Sequence, residues 1–225
     1  MESMIDQALD RLLHRRSYLA LFLLDPSKLA LRSDDLEALS VIDRDELVAT
    51  AIAVRRDLVQ RNHRGSGTIA DLYPATIGER DIEELVGDFM ESNEFDAYRE
   101  IPFAGIGLSL EEAFYRYCDA NAIGEPETRE QEFLCAMMKA LLLSPRADFT
   151  IPQAIRPCPG GVFAVAGTML FAALGERLVT GPITPFLVDL LLRDEAAESI
   201  AERHGVSSAE LGASIDQLRL LGLRA

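Results

Sequence analysis

A chain of 225 residues, 48% hydrophobic and 26% charged, is long enough for one or two globular domains and is neither a fibre nor a disordered tail. Its formal net charge of −15 opposes polyanions, because Lys and Arg contacts to phosphate supply most of the affinity for nucleic acid and for anionic membranes. A basic, acid-poor partner or a neutral peptide fits that balance better.

The N-terminus, MESMIDQALDRLL, lacks a basic stretch followed by an apolar one, so no secretory signal is expected. Ile5, Leu9, Leu12, Leu13, Leu19, Phe22 and Leu23 recur on one broad face and predict a helix that Asp25 and Pro26 end. Its apolar run from Tyr18 to Leu24 is far too short to cross a bilayer core of roughly 30 Å. A second helix is expected to open at Asp43, with Glu46 three residues on as in a capping box, and to run to about Arg61. A short helical turn comes next at Ile69 to Tyr73, broken at Pro74. Asp81 to Met90 is then helical, with Ile82, Leu85, Val86 and Phe89 apolar. Ser109 and Glu112 form another capping-box pattern before Leu110, Ala113, Phe114 and Tyr117 at i, i+3, i+4, i+7. The last helix of this half runs from Pro126 to Leu143, proline standing where a missing amide hydrogen costs nothing.

Residues 144 to 160 carry Pro145, Pro152, Pro157, Pro159 and the Gly160-Gly161 pair, which reads as a linker. We therefore expect a helical domain over 1–150 and a second domain over 151–225. In the second, Val162 to Val165, Met169 to Leu174 and Arg177 to Thr180 predict three strands, with Gly167 and Gly175 suited to tight hairpins. Thr184 caps a helix with Pro185 at its first position. Asp194 is expected to open the next, which Gly205 ends in the left-handed conformation. Val206, Ser207 and Glu210 start a third, with Leu211, Ile215, Leu218 and Leu221 inward until Gly222. The fold class is thus α+β, mostly α: a helical domain followed by a three-stranded winged helix-turn-helix with the wing first.

Recognition helices read DNA with Arg, Lys, Asn and Gln. From Ser207 to Leu221 this chain offers Arg219 alone against Glu210 and Asp216, and residues 151–225 hold six Lys and Arg against eight Asp and Glu. Sequence-specific DNA binding is therefore disfavoured.

Three strands followed by three helices, the last ending in "LRLLGLR", resemble the peptide-binding winged domain of ribosomal-peptide (RiPP) biosynthesis, the RiPP recognition element. The resemblance implies β-augmentation, in which a precursor's leader adds as a strand beside the third strand and lies against the third helix. On that carry-over Arg177, Leu178, Val179 and Thr180 supply the edge, and Leu211, Ser214, Ile215 and Leu218 the groove wall. The helical half, with "AVRRDLVQRNHRGSGTIADLYPATI", "LVGDFMESNEFDAY" and "FAGIGLSLEEAFYRY", resembles the partner subunits of multinuclear non-haem iron-dependent oxidative enzymes, as in the 3-thiaglutamate and methanobactin pathways. This second resemblance implies a heterodimer with an iron enzyme that modifies a ribosomal precursor peptide, the iron residing in that enzyme.

On a helical wheel Leu47, Val48, Ala51, Ile52, Val54, Leu58 and Val59 span one arc, and Arg55 falls near its middle. Such an arginine either snorkels or pairs with an acid inside the domain, or joins Arg56, Arg61, His63 and Arg64 in a basic cluster that docks on a carboxylate-rich partner surface. His14, His63 and His204 lie in separate segments without the spacing of a helical metal pair. No nucleophile elbow, P-loop or dinucleotide fingerprint occurs, and Gly65-Ser66-Gly67 lacks the lysine of a phosphate cradle. Glu111-Glu112, Glu83-Glu84 and Asp34-Asp35 read as solvated helix surfaces or caps. Cys118, Cys135 and Cys158 match no zinc or redox spacing and read as free thiols of a cytoplasmic protein. No catalytic residue, metal ligand or cofactor is expected in this chain. Three functions stay open: a recruiting subunit of a peptide-modifying oxidase, a winged interaction adaptor, and a transcription regulator.

Overall fold

The computed structural model describes residues 4–61, 67–99, 107–143 and 149–224, and these form a mostly helical α+β fold with one four-stranded antiparallel sheet. The first part is built from α1 (Met4–His14), α2 (Arg16–Leu24), α3 (Ser33–Ser40), α4 (Arg44–Gln60), α5 (Ile69–Leu72), α6 (Pro74–Ile77), α7 (Ile82–Glu91), α8 (Asn93–Arg99), α9 (Leu110–Ala120) and α10 (Pro126–Leu143). Two features depart from the periodicity. The opening helix is divided at Arg15, whose backbone is extended, while its guanidinium reaches the Ser92 carbonyl at 3.1 Å and Asp96 at 2.6 Å. That break lets α1 pack on α4 while α2 turns toward α7. Pro74, expected to end a helical turn, instead opens α6, whose amides at Ala75 and Thr76 donate to Glu132 of α10 at 2.8 and 2.9 Å.

Asp43 and Ser109 cap their helices as read, although the reciprocal half of each expected capping box does not form among the described residues. Asp43 accepts the Glu46 amide at 2.9 Å, and Ser109 accepts that of Glu112 at 3.1 Å. Behind them lie two cores. One gathers Leu12, Leu19, Phe22, Leu39 and Leu47. The other is aromatic, with the Phe89 ring 5.2 Å from that of Phe95 and 5.3 Å from that of Phe114, and the buried Tyr73 hydroxyl donating to the Glu111 carbonyl at 2.6 Å. Glu111, Glu112 and Asp35 are not solvated, as their sequence setting suggested, but 2%, 5% and 7% exposed. Arg116 pairs with Glu112 and Arg32 with Asp35, so the charge of these two acids is answered by helix neighbours.

The sheet comes next as a meander of β1 (Arg156–Cys158), β2 (Gly161–Ala166), β3 (Met169–Leu174) and β4 (Arg177–Pro182), in that spatial order. β1 lies where a linker was expected. Its proline is tolerated because β1 is an edge strand. Gly167 and Gly175 take positive φ in two-residue hairpin turns, as expected. Both faces of the sheet are covered. Ala164, Ala166, Phe171 and Ala173 join the aromatic core, where α10 crosses the strands. On the other face Phe163, Leu170, Ala172 and Leu174 pack against α11 (Pro185–Leu192), α12 (Ala197–His204) and α13 (Ser208–Leu220). Thr184 caps α11, and Ser207 with Glu210 closes a reciprocal box on α13. Gly205 ends α12 in the left-handed region, but α12 starts at Ala197 rather than at Asp194, because the chain stays extended at Ala196. Among the described residues no helix is long and apolar enough to cross a membrane.

Phe171 is 4% exposed in an interior strand, on the face that α10 covers. Phe171→Ala should cost about 3–5 kcal/mol, as for other buried Phe truncations. The two parts share this sheet, so urea unfolding followed by far-UV and tyrosine signals should shift as one transition. A fragment of 151–225 alone should fail to fold as a monomer.

Candidate functional site

Among the described residues β4 has β3 on one side and no strand on the other. Ile183 donates to the Thr168 carbonyl at 2.8 Å, and Leu174 faces Arg177 across a two-residue turn. Antiparallel alternation then directs the main-chain groups of Arg177, Val179 and Gly181 into the ladder. Those of Leu178 and Thr180 point outward. An unpaired, nearly uncharged edge of this kind is a template for a further strand. Side chains alternate the other way along the sheet normal: Val179 packs into the core beneath α11 to α13, while Leu178 and Thr180 lie opposite Ala173 and Phe171 on the face that α10 crosses. All four expected edge residues are therefore together on one strand.

The expected groove wall divides differently. Leu211 and Leu218 are buried in the core, at 7% and 3% exposure, and Ser214 and Ile215 are half-buried. Of the expected wall residues only Ile215 leaves apolar surface on α13, whose exposed Leu220 lies at the helix's C-terminal end, and α10 flanks β4 on the opposite face. Nothing in the sequence announces that role for α10, since the pairing of a helix with a distant strand leaves no local pattern.

Cations of the last 75 residues are largely engaged inside the molecule. Arg156 and Arg224 donate to the carbonyls of Leu192 and Leu190 at 3.1 and 3.3 Å. Arg193 and Arg203 both engage Asp189 and Glu195, and Arg219 sits 3.8 Å from Asp216. Arg177 is left without a partner among the described residues. A duplex would find few free cations here.

The other expected cluster also separates. Arg61 pairs with Asp57 one turn back on α4, and His63 and Arg64 lie outside the described residues. Arg55 and Arg56 instead line a pocket between α4, α2 and α7, together with Arg16, which the wheel of α4 could not bring into view. Arg55 is half-buried, its Nε donating to the His14 carbonyl at 3.2 Å. Burial first, and then the charge of Arg16, hold its pKa below the usual arginine range, while Glu91 acts in the opposite sense.

No group of three or more His, Cys, Asp or Glu among the described residues is placed to hold a metal ion. Burial pushes the Cys118 thiol up to about 12 and raises that of Cys158, so neither is an activated nucleophile. Comparison of the chain with protein-family models, with curated proteins and with solved structures found no match.

Asp189 ties α11 to α12, meeting His204 at 2.9 Å and Arg193 at 2.7 Å. The His204 bond, then that of Arg193, lowers its carboxyl to about 2. A depressed folded-state pKa contributes stability above the unfolded value of about 4 that is lost as pH falls through about 2. Asp189→Asn should lower the melting temperature at pH 7, and the gap from the parent should close in melts taken between pH 4 and 2.

Proposed function

We propose that this chain is a non-catalytic recruiting subunit. It binds a ribosomal precursor peptide by strand addition to β4 and presents it to an iron-dependent peptide-modifying oxidase, with which it forms a heterodimer. β2 to β4 with α11 to α13 are read as a winged helix-turn-helix like the RiPP recognition element, with β1 as an added strand. The observation that carries the reading is the outward-facing main chain of Leu178 and Thr180 on an edge strand whose flanks are apolar. Strand addition draws on backbone hydrogen bonds and side-chain pockets, and needs no positive charge. A net charge of −15 and the internal pairing of most C-terminal arginines support a peptide ligand over DNA. A winged adaptor for some other extended peptide would use the same edge. The iron and the oxidative chemistry belong to the partner in this proposal.

Co-expression with adjacent genes for a small peptide and an iron enzyme should give a co-purifying complex whose iron tracks the partner. Within it Thr180→Pro is the discriminating variant, because the amide it removes faces outward and costs β4 no ladder bond. The variant should keep its circular dichroism and melting point yet bind the precursor at least about tenfold more weakly, a loss of about 1.4 kcal/mol. Val179→Pro, which removes an inward bond, should instead destabilise the fold. Unchanged peptide affinity in folded Thr180→Pro would refute strand addition at β4, and tight, salt-sensitive binding of random duplex DNA would favour the regulator.

A further inference from the structure

We infer that the pocket between α2, α4 and α7 is a binding site for a carboxylate carried on a short apolar stem. Its volume is about 150 Å³, well below the roughly 300–1,000 Å³ of pockets that take drug-sized ligands. One functional group and a few carbons fill such a space. Three guanidinium groups, those of Arg16, Arg55 and Arg56, line it in a chain that is otherwise strongly acidic.

Arg55 is the first reason for a ligand. Its Nε is satisfied by the His14 carbonyl, but its Nη2 is buried without an acceptor. A buried guanidinium nitrogen left unpaired carries a desolvation cost that an oxyanion would remove. Glu91, the carboxylate acting on Arg55 through space, is itself held by the Ser17 amide at 3.1 Å and by the Ser17 hydroxyl. No ion pair within 4.0 Å joins Arg16, Arg55 or Arg56 to a carboxylate among the described residues.

Arg16 is the second. Its guanidinium lies against the backbone of Gly87 in α7, with Nη2 donating to the Glu83 carbonyl at 3.4 Å. A Cβ at position 87 would stand 2.6 Å from Nη2 and 2.8 Å from Cζ, so this pose exists only because residue 87 is glycine. The same helix would be better served by alanine. Gly87 thus gives up helix propensity at the place where Arg16 is seated beside the pocket.

The remaining lining selects among anions. Planar guanidinium forks match the two oxygens of a carboxylate. Ile52, Val59 and Met90 supply apolar wall for a stem, and Glu83 places one negative charge on the lining, which weighs against a phosphate dianion. That chemistry has two sources: a free short-chain acid, or a glutamate side chain or chain terminus projecting from a bound protein. The site stands apart from the peptide edge, so either proposal can fail while the other holds.

The test is titration of the full-length chain, by calorimetry and by chemical-shift perturbation, with butyrate, butyramide, inorganic phosphate, and blocked tripeptides centred on Glu or Gln. Butyrate and the Glu tripeptide should bind saturably and perturb α2, α4 and α7. Butyramide and the Gln tripeptide should not bind. Tighter binding of the Glu tripeptide assigns the site to a protein ligand, and of butyrate to a free acid; both orders support the carboxylate pocket. Arg56→Gln, at an exposed position, and Gly87→Ala, which displaces Arg16 without altering charge, should each weaken binding about tenfold, and Gly87→Ala should melt no lower than the parent. Equal binding of butyramide, preference for phosphate, or unaltered affinity in both folded variants would overturn the inference.

Discussion

The constraint on which the structure depends is that one small sheet must be covered on both faces. β3 meets it through composition: Met169–Leu174 is apolar without alternation, as a strand buried on two sides requires. Alanines at 164, 166, 172 and 173 keep both faces low, so helices can close on them. Covering the faces leaves the edges. β1 is three residues long with a proline at its centre, which is a common defence against unwanted pairing. β4 is six residues long, and between Arg177 and Pro182 it has no charge or proline. Of the two edges only this one lacks such defences, which is why the proposed function rests on its geometry rather than on the helices that follow it.

Arginines play a structural part in this acidic chain and thereby mark the exceptions. Arg129 is 4% exposed, donating to the carbonyls of Ile123 and Gly124 at 2.8 and 2.9 Å and to Asp119, and so closes the turn between α9 and α10. Arg15 joins the start of α2 to Asp96 of α8, and Arg203 joins α12 to Asp189 of α11. Each of these cations holds two elements together through groups the fold itself provides. Arg16 and Arg55 also reach carbonyls of other helices, those of Glu83 and His14, but with Arg56 they line a pocket and form no ion pair with a carboxylate among the described residues. They converge on open space, where Arg55 Nη2 is left unsatisfied; Arg129 Nε is unsatisfied too, but it lies in a closed turn and lines no such pocket.

What could be read from the sequence was local. Asp43, Ser109, Thr184 and Ser207 announce helix starts because a cap and the amide it accepts lie within a few residues. Gly167, Gly175 and Gly205 announce turns for the same reason. The misreadings share the opposite character. Arg15 breaks a periodic helix through partners far along the chain, at Ser92 and Asp96. Pro157 looks like linker composition until its strand finds Val162. Glu111 and Glu112 begin a helix as surface residues usually do, and are buried by elements that no helical wheel includes. The β4 edge was legible as a run of β-formers, whereas the burial of Leu211 and Leu218 decides how much of α13 can face a ligand. Arg55 stood out on its own wheel, but the pocket needed Arg16 and Gly87, which only the packing of three helices brings beside it.

A net charge of −15 and a pocket for a carboxylate are compatible because they act over different distances. At physiological ionic strength the Debye length is about 8 Å, so the remote acidic groups are largely screened from a ligand at the mouth of the pocket. Inside it, three guanidinium groups set the local potential, and partial burial strengthens them. The global charge then disfavours extended polyanions, which must lie along many repelling groups at once, while a single carboxylate meets only its own neighbourhood. The same reasoning applies to the strand addition proposed at β4, in which backbone would hold backbone. Both features select short-range chemistry on a surface that repels nucleic acid at long range.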